Sequence, residues 1–327
     1  MSEQEETYQP SEMAELDLAS LAEETLPEGH RSGFVAVIGR PNVGKSTLMN
    51  AILKQKVAIV SPRPQTTRTN QLGILTEPDY QIVFVDTPGL ISPRHKLDEF
   101  MVGVAEEALK DAEVVLWMVD GSEPPGAGDK AIAETLTKLP KRSRLVLAIN
   151  KADLVAPEDV LPRTEAYRAL APDADWIFFS ALDEASVQAL LQLLIDALPE
   201  GPRYYPADQT TDTFIRDIAA ELIREQIFLQ MREELPYGTA VQVNEYKLRE
   251  NGITYIAATI FVERDNHKKI IIGNKGKQLR DIGAGARKEI ETLVQGKVYL
   301  ELWVKVEPQW RRSDQSLKRF GYTQPTK

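Results

Sequence analysis

Residues 34–46 read FVAVIGRPNVGKS. Five apolar residues, Phe34 through Ile38, lead into Gly39-Arg40-Pro41-Asn42-Val43-Gly44-Lys45-Ser46, which fits G-x-x-x-x-G-K-[ST]. Thr47, Leu48, Ile52 and Leu53 carry a helical pattern onward. A strand, a glycine turn and a helix in that order make a phosphate loop. Gly39 and Gly44 let the backbone close on phosphate oxygens. The exposed N–H groups and the helix N-terminus add positive potential. Lys45 is placed to reach the β- and γ-phosphates and Ser46 to ligate Mg²⁺. Arg40, Pro41, Asn42, Val43 and Thr47 complete the cradle. The loop alone leaves ATP and GTP both open.

From 34 to about 198 the chain alternates. Apolar runs at 34–38, 81–85, 114–119, 145–149 and 176–179 are separated by stretches of helical period. The clearest stripe is Val187, Leu190, Leu191, Leu194, Ile195 and Leu198. Strands buried on both faces and alternating with helices predict a parallel α/β sheet. Residues 71–75 are expected to pair with 81–85 as an antiparallel hairpin, giving a mixed, mostly parallel, six-stranded sheet. Polar motifs fall at the ends of these strands, where open α/β sheets bind ligands. Asp86-Thr87-Pro88-Gly89 puts a carboxylate near the Mg²⁺ shell and a glycine N–H near the γ-phosphate. Asn150-Lys151-Ala152-Asp153 ends the fourth run. The Asp153 carboxylate can accept the N1–H and 2-amino hydrogens of guanine, a donor pair adenine lacks, so discrimination is large. Asn150 suits the guanine edge and Lys151 the ring plane. Ser180, Ala181 and Leu182 can cover the base with backbone N–H groups.

With these four motifs in order, the chain resembles the translation-factor-like GTPases of the TrmE-Era group. The matching segments are GRPNVGKSTLMN, SPRPQTTRTN, FVDTPGL, INKAD and FFSAL. The resemblance implies hydrolysis of GTP to GDP and phosphate, with Mg²⁺ held by Ser46, Asp86 and a switch threonine. Either Thr66 or Thr67 can be that threonine, and Thr67 is preferred. Its hydroxyl closes the Mg²⁺ shell while the γ-phosphate is present and lets go afterwards. Leu90 stands where Ras-like enzymes place a water-orienting glutamine. Asn42 resembles the asparagine that helps hold K⁺ in some relatives, so K⁺ is the expected source of the charge an arginine finger gives elsewhere. Lys45, Asn42, Thr67 and Gly89 form the expected catalytic set.

Three prolines within residues 199–206 predict a stiff linker. Beyond it the order changes to a helix over 214–235, strands over 240–248 and 253–262 joined at a tight Asn251-Gly252 turn, and a short helix near 268–272. A helix over 277–294, a strand over 298–306 and a basic helix over 307–320 follow. Gly273-Asn274-Lys275-Gly276 joins two of the helices as G-x-x-G. This combination resembles an α+β type II KH domain, which clamps about four single-stranded nucleotides. The expected RNA contacts are Lys269, Gly273, Asn274, Lys275, Gly276, Lys277 and Arg280. Ile272, Leu279, Ile282 and the strand 253–262 would line the base groove, but most of these residues are expected to make the core instead. Arg311, Arg312, Lys318 and Arg319 are candidate contacts near the C-terminus. For group members with a KH domain, the resemblance implies a cytoplasmic monomer that binds the 3′ end of 16S ribosomal RNA in 30S subunit assembly. It also implies loose contact with the inner face of the membrane.

The expected division is an acidic tail over 1–30, a nucleotide domain over 31–200, a linker over 201–210 and an RNA-binding domain over 211–327. Charge follows it. Net charge is −9 over 1–30, −5 over 31–202 and +4 over 203–327, and 267–327 alone carries +8. A basic end on an acidic chain suits a polyanion. The absence of cysteine excludes disulfide and thiolate chemistry, and three histidines leave little for a histidine-built metal site. No apolar run approaches the roughly 20 residues of a membrane span, and the acidic start has no signal-peptide pattern.

Overall fold

The computed structural model describes residues 26–56, 58, 67–89, 95–140 and 142–322. Its first half is built on β1 (Arg31–Ile38), α1 (Lys45–Leu53), β2 (Gln71–Glu77), β3 (Tyr80–Asp86), α2 (Lys96–Asp111) and β4 (Val114–Asp120). There follow α3 (Ala127–Leu136), β5 (Arg144–Asn150), α4 (Pro157–Arg168), β6 (Asp175–Phe178) and α5 (Glu184–Ala197). The strands lie in the order β2-β3-β1-β4-β5-β6. Only β2 runs antiparallel to its neighbour. Both faces are covered, so β4 is buried along its whole length. Val114, Leu116 and Met118 pack with α1 and α5, and Val115, Trp117 and Val119 with α2, α3 and α4. Each such burial is worth about 1.5–3 kcal/mol. The polar motifs therefore emerge together at one rigid edge.

The connecting chain runs along this sheet. Ser32 N donates to the Pro199 carbonyl at 3.1 Å and Gly201 N to the His30 carbonyl at 3.0 Å. The Gln81 side chain accepts from Tyr204 N and Tyr205 N at 2.7 and 3.0 Å and donates to the Tyr205 carbonyl at 2.7 Å.

The second sheet has the order β7 (Thr239–Leu248), β8 (Thr254–Val262), β9 (Val298–Val306). β7 is antiparallel and β9 parallel to the central β8. Helices α6 (Ile215–Gln230), α7 (Asp265–Ile272) and α8 (Lys277–Val294) cover one face. Ile256, Ala258, Ile260 and Val262 meet Ile218 and Leu222 of α6 and Ile282, Ala286 and Ile290 of α8. On the other face, Ala240 and Phe261 pack with Leu97, Phe100, Met101 and Val104 of α2 and with Trp310 and Leu317.

Three expectations shift. α6 ends at Gln230 rather than 235, because Met231 turns extended and Glu233 takes φ +55° while Met231 and Leu235 stay in the core ahead of Pro236. The 249–253 loop is wider than a two-residue turn, closed by Arg249 N to the Ile253 carbonyl at 3.0 Å. The basic end is broken into a 3₁₀ turn (Trp310–Arg312) and α9 (Asp314–Arg319), since Trp310 is anchored between the two halves and extended Ser313 caps a new helix. The expectations for residues 1–25, Gln65, Thr66, Leu90 and 323–327 lie outside the described residues. Among the described residues, no helix is long and apolar enough to cross a membrane.

Candidate functional site

β1 delivers the chain to Gly39, whose Cβ would lie 2.2 Å from the Met118 carbonyl oxygen. Gly44 caps α1 at φ +105°, and a Cβ there would meet Asn150 Nδ2 at 2.4 Å. Only glycine fits either position. Lys45 is buried, and its ammonium donates to the Gly39 and Arg40 carbonyls at 3.2 and 3.0 Å. Burial depresses it to about 8, against the opposing pull of Asp86. The Arg40 side chain turns away from the cradle to Asp129, Nε to Oδ1 at 2.9 Å. Gly89 lies against Pro41, where a Cβ would meet Pro41 N at 3.0 Å.

Three oxygens converge below the loop. Ser46 Oγ donates to Asp86 Oδ2 at 2.8 Å, Thr67 Oγ1 donates to the same atom at 3.1 Å, and the two hydroxyls are 3.2 Å apart. Asp86 is fully buried, and its Oδ1 has no hydrogen-bond partner among the described residues. Burial raises its pKa, with Lys45, Ser46 and Thr67 opposing. An all-oxygen set around a buried carboxylate with an orphaned oxygen suits a hard cation such as Mg²⁺.

The base-side motif is arranged differently from its sequence reading. Asn150 Nδ2 donates to the Val43 carbonyl at 2.8 Å, and its Oδ1 accepts from Ala181 N at 2.8 Å. The amide expected at the guanine edge instead braces the phosphate loop against residues 180–182, and engages the Ala181 N–H assigned to the base. Lys151 takes φ +67° and donates to Asp120 Oδ2 at 2.5 Å. Burial pushes the Asp120 carboxyl up, but hydrogen bonds from Lys151 and Ser122 outweigh this and hold it low. Asp153 is exposed on the 3₁₀ turn Ala152–Leu154, its Oδ1 accepting from Ser180 Oγ at 2.5 Å. Leu182 is exposed beside them. The sequence reading missed Asp120 and Asp129. Asp120 ends an apolar strand as Asp86 does, so the same rule could have found it.

The second site is the turn between α7 and α8. Gly273 (φ +69°, ψ −177°) occupies backbone space open to glycine, and a Cβ would meet Gln278 Cβ at 2.6 Å. Gly276 (φ +74°) has nothing within 4 Å of such a Cβ. Beside it runs a groove of about 550 Å³, lined by Lys275, Leu279, Arg280 and Arg287 on one side and residues 299–302 on the other. The groove wall is therefore β9, not the expected strand 253–262. β8 is central, and Ile256 and Ile260 face the core; an edge strand alone can wall a groove. Ile282 is likewise core, Ile272 packs at its margin, and only Leu279 of the three lines the groove. Lys269, Asn274, Lys275, Lys277 and Arg280 are exposed. Near the C-terminus, Arg312 and Lys318 are exposed, but Arg311 donates to Glu263 at 2.6 Å and Arg319 pairs with Glu307 at 2.9 Å.

One residue joins the two sites. Arg68, next to Thr67, is 3% exposed. It donates to the Thr239 carbonyl at 2.7 Å, Tyr322 Oη at 3.2 Å and the Tyr237 carbonyl at 3.0 Å. Its guanidinium lies 5.5 Å from the Trp310 ring centroid. Lys56, just past α1, bridges to Glu225 at 2.7 Å and Glu289 at 3.1 Å.

Comparison with known proteins identifies relatives of the whole chain. A family model described as a 50S ribosome-binding GTPase matches residues 34–151, and a KH domain model matches 234–311. The chain is 48% identical to GTPase Era of Halothermothrix orenii over 293 residues, 90% of this chain and 99% of that protein. It is 49% identical to GTPase Era of Lacticaseibacillus paracasei, again over 90% of this chain and 97% of the other. Among solved structures, Era in complex with MgGDPNP and nucleotides 1506–1542 of 16S ribosomal RNA superposes with a TM-score of 0.86 at 40% identity, covering 90% of this chain and 99% of the other. A variant of Aquifex aeolicus Era bound to GDP and aluminium fluoride gives a TM-score of 0.85 at 39% identity, with the same coverage.

Proposed function

The chain belongs to the Era family of GTPases, and from that premise we propose that it is a GTP-driven switch that binds the 3′ region of 16S ribosomal RNA through its KH domain during 30S subunit assembly. The carrying observation is the adjacency of Thr67, at the Asp86 carboxylate, to Arg68, buried in the second half. Whatever draws on Thr67 pulls on the RNA-binding end through one peptide bond. The 50S in the nucleotide-domain description belongs to a model covering residues 34–151 only. The full-length likeness, with its RNA-bound relative, favours the small subunit.

Each residue has a task in this reading. Gly39 through Thr47 wrap the phosphates, and Lys45 exchanges its two carbonyl partners for phosphate oxygens. Ser46, Thr67 and Asp86 would hold Mg²⁺, which would neutralise phosphate charge there. Gly89 offers its N–H to the γ-phosphate. Asp153, oriented by Ser180, reads guanine, and Lys151, steadied by Asp120, lies along the base. We assign 31–200 to the nucleotide domain, 201–210 to the linker and 211–327 to the RNA-binding domain.

GTP and GDP should displace a labelled guanine nucleotide where ATP does not; displacement by ATP would overturn the assignment. Asn42 is proposed to help hold K⁺, so hydrolysis should be faster in KCl than in NaCl. Equal rates remove K⁺ from the account. A membrane contact and the monomeric state rest on family likeness, and vesicle flotation and sedimentation test them.

A further inference from the structure

The second sheet alternates. Val298, Leu300, Leu302, Val304 and Val306 of β9 face the helices. Tyr299, Glu301, Trp303 and Lys305 therefore face outward, as do Tyr255, Ala257, Thr259 and Phe261 of β8. One end of this outer face is closed, where Phe261 and Ala240 pack under α2 and the C-terminal segment. The other end is open. Tyr299 is 56% and Trp303 58% exposed. Tyr255 and Tyr299, partners in register, stack at 5.9 Å with 24° between their planes. The Arg249 guanidinium lies 4.2 Å from the Tyr255 centroid and 5.5 Å from that of Tyr299. The Tyr255 hydroxyl donates to Glu301 at 2.7 Å, fixing its ring and engaging the carboxylate.

We propose that this open half of the outer sheet face is a second RNA surface, on which Tyr299, Trp303 and Arg249 stack bases lying beyond the G-x-x-G groove. The proposal rests on the RNA-binding reading above. Continuity supports it, because Tyr299 also lines the groove with Lys275, Arg280 and Arg287. A strand leaving the groove over the edge of β9 meets the Tyr255–Tyr299–Arg249 stack and then Trp303. Chemistry supports it too. Unpaired bases are held by aromatic faces and arginine planes, and such stacking is sequence-tolerant. Exposed Lys247, Arg249 and Lys305 offset Glu245 and Glu301, so the face does not repel phosphate. Length is the third support. The groove holds about four nucleotides, whereas the related Era was solved with nucleotides 1506–1542.

The test compares two RNAs on the full chain. One copies the segment 1506–1542; the other is a single strand of about four nucleotides copying its 3′ end, no longer than the groove holds. Trp303→Ala and Arg249→Ala lie outside the groove lining. Each is expected to weaken the long RNA about tenfold, in line with the loss of a stacked base, while short-RNA affinity stays at wild type. Trp303→Phe should restore most of the loss. Wild-type affinity for both RNAs in both alanine variants would overturn the proposal and leave the face to a protein partner. Failure of the wild-type chain to bind either RNA would instead overturn the RNA-binding reading itself.

Discussion

The Asn150 amide shows how far single residues can be read from sequence. Strand ends and spacing put Lys45 and Ser46 at the head of α1, Asp86 at the end of β3 and Asp153 on the turn after β5, because each motif fixes backbone position and residue type together. Spacing does not say which atoms are already satisfied. Both ends of the Asn150 amide are engaged, by the Val43 carbonyl and by Ala181 N. Arg40, expected at the nucleotide, is turned to Asp129 by a pairing 89 residues away. Asn150→Ala leaves a buried carbonyl and a buried N–H without this partner, at about 1–3 kcal/mol each. The melting temperature without nucleotide should therefore fall by roughly 2–4 °C per kcal/mol lost. Thermal melts check this. An unchanged melting temperature with lost guanine-nucleotide affinity would show that Asn150 reads the base directly.

Elements were legible in kind and order, and less so in their ends and neighbours. The alternation of apolar runs gives the six-stranded sheet, and Gln81 ties the linker to it in a way no local pattern shows. Of the two roles open to 253–262, core and groove wall, the structure shows the core one, because β8 is central and the edge strand β9 walls the groove, a distinction periodicity does not carry. The final helix was read as one piece because nothing local says that Trp310 is an anchor between domains. The two turn glycines divide their work. Gly273→Ala meets Gln278 as well as a glycine-only conformation, whereas Gly276→Ala costs about 1–2 kcal/mol for its left-handed backbone and meets nothing. On the proposed RNA path its added methyl would obstruct a phosphate. Gly276→Ala should lower RNA affinity several-fold while GTP hydrolysis without RNA keeps its wild-type rate. Filter binding and a phosphate-release assay read the two, and retained RNA affinity would move the RNA path elsewhere.

At the scale of the molecule, switching turns on how the halves are joined. The basic end, +8 over 267–327, was visible in the sequence. One of those charges is neutralised from outside the stretch, since Arg311 is paired with Glu263. The join itself was not visible. Arg68 reaches partners 169 to 254 residues away, and the apolar contact of α2 with Phe261 and Trp310 is equally distant in sequence. Thr67 sits with the Mg²⁺-type oxygens, Arg68 hangs from Thr239, Tyr237 and Tyr322, and Tyr322 stacks on Trp310 with ring centroids 6.0 Å apart. Tyr322→Phe removes one acceptor from Arg68 and keeps the ring, so it should narrow the coupling without unfolding the join.

The most direct test is the affinity of the full chain for the 1506–1542 RNA in two nucleotide states, GDP and a non-hydrolysable GTP analogue. Salt is held fixed because phosphate contacts make affinity salt-dependent. Binding should be tighter with the analogue, by about 5- to 150-fold for a coupling of ordinary size, with a smaller ratio for Tyr322→Phe. Equal affinity in the two states would contradict this coupling and leave the KH domain binding RNA without reference to the nucleotide.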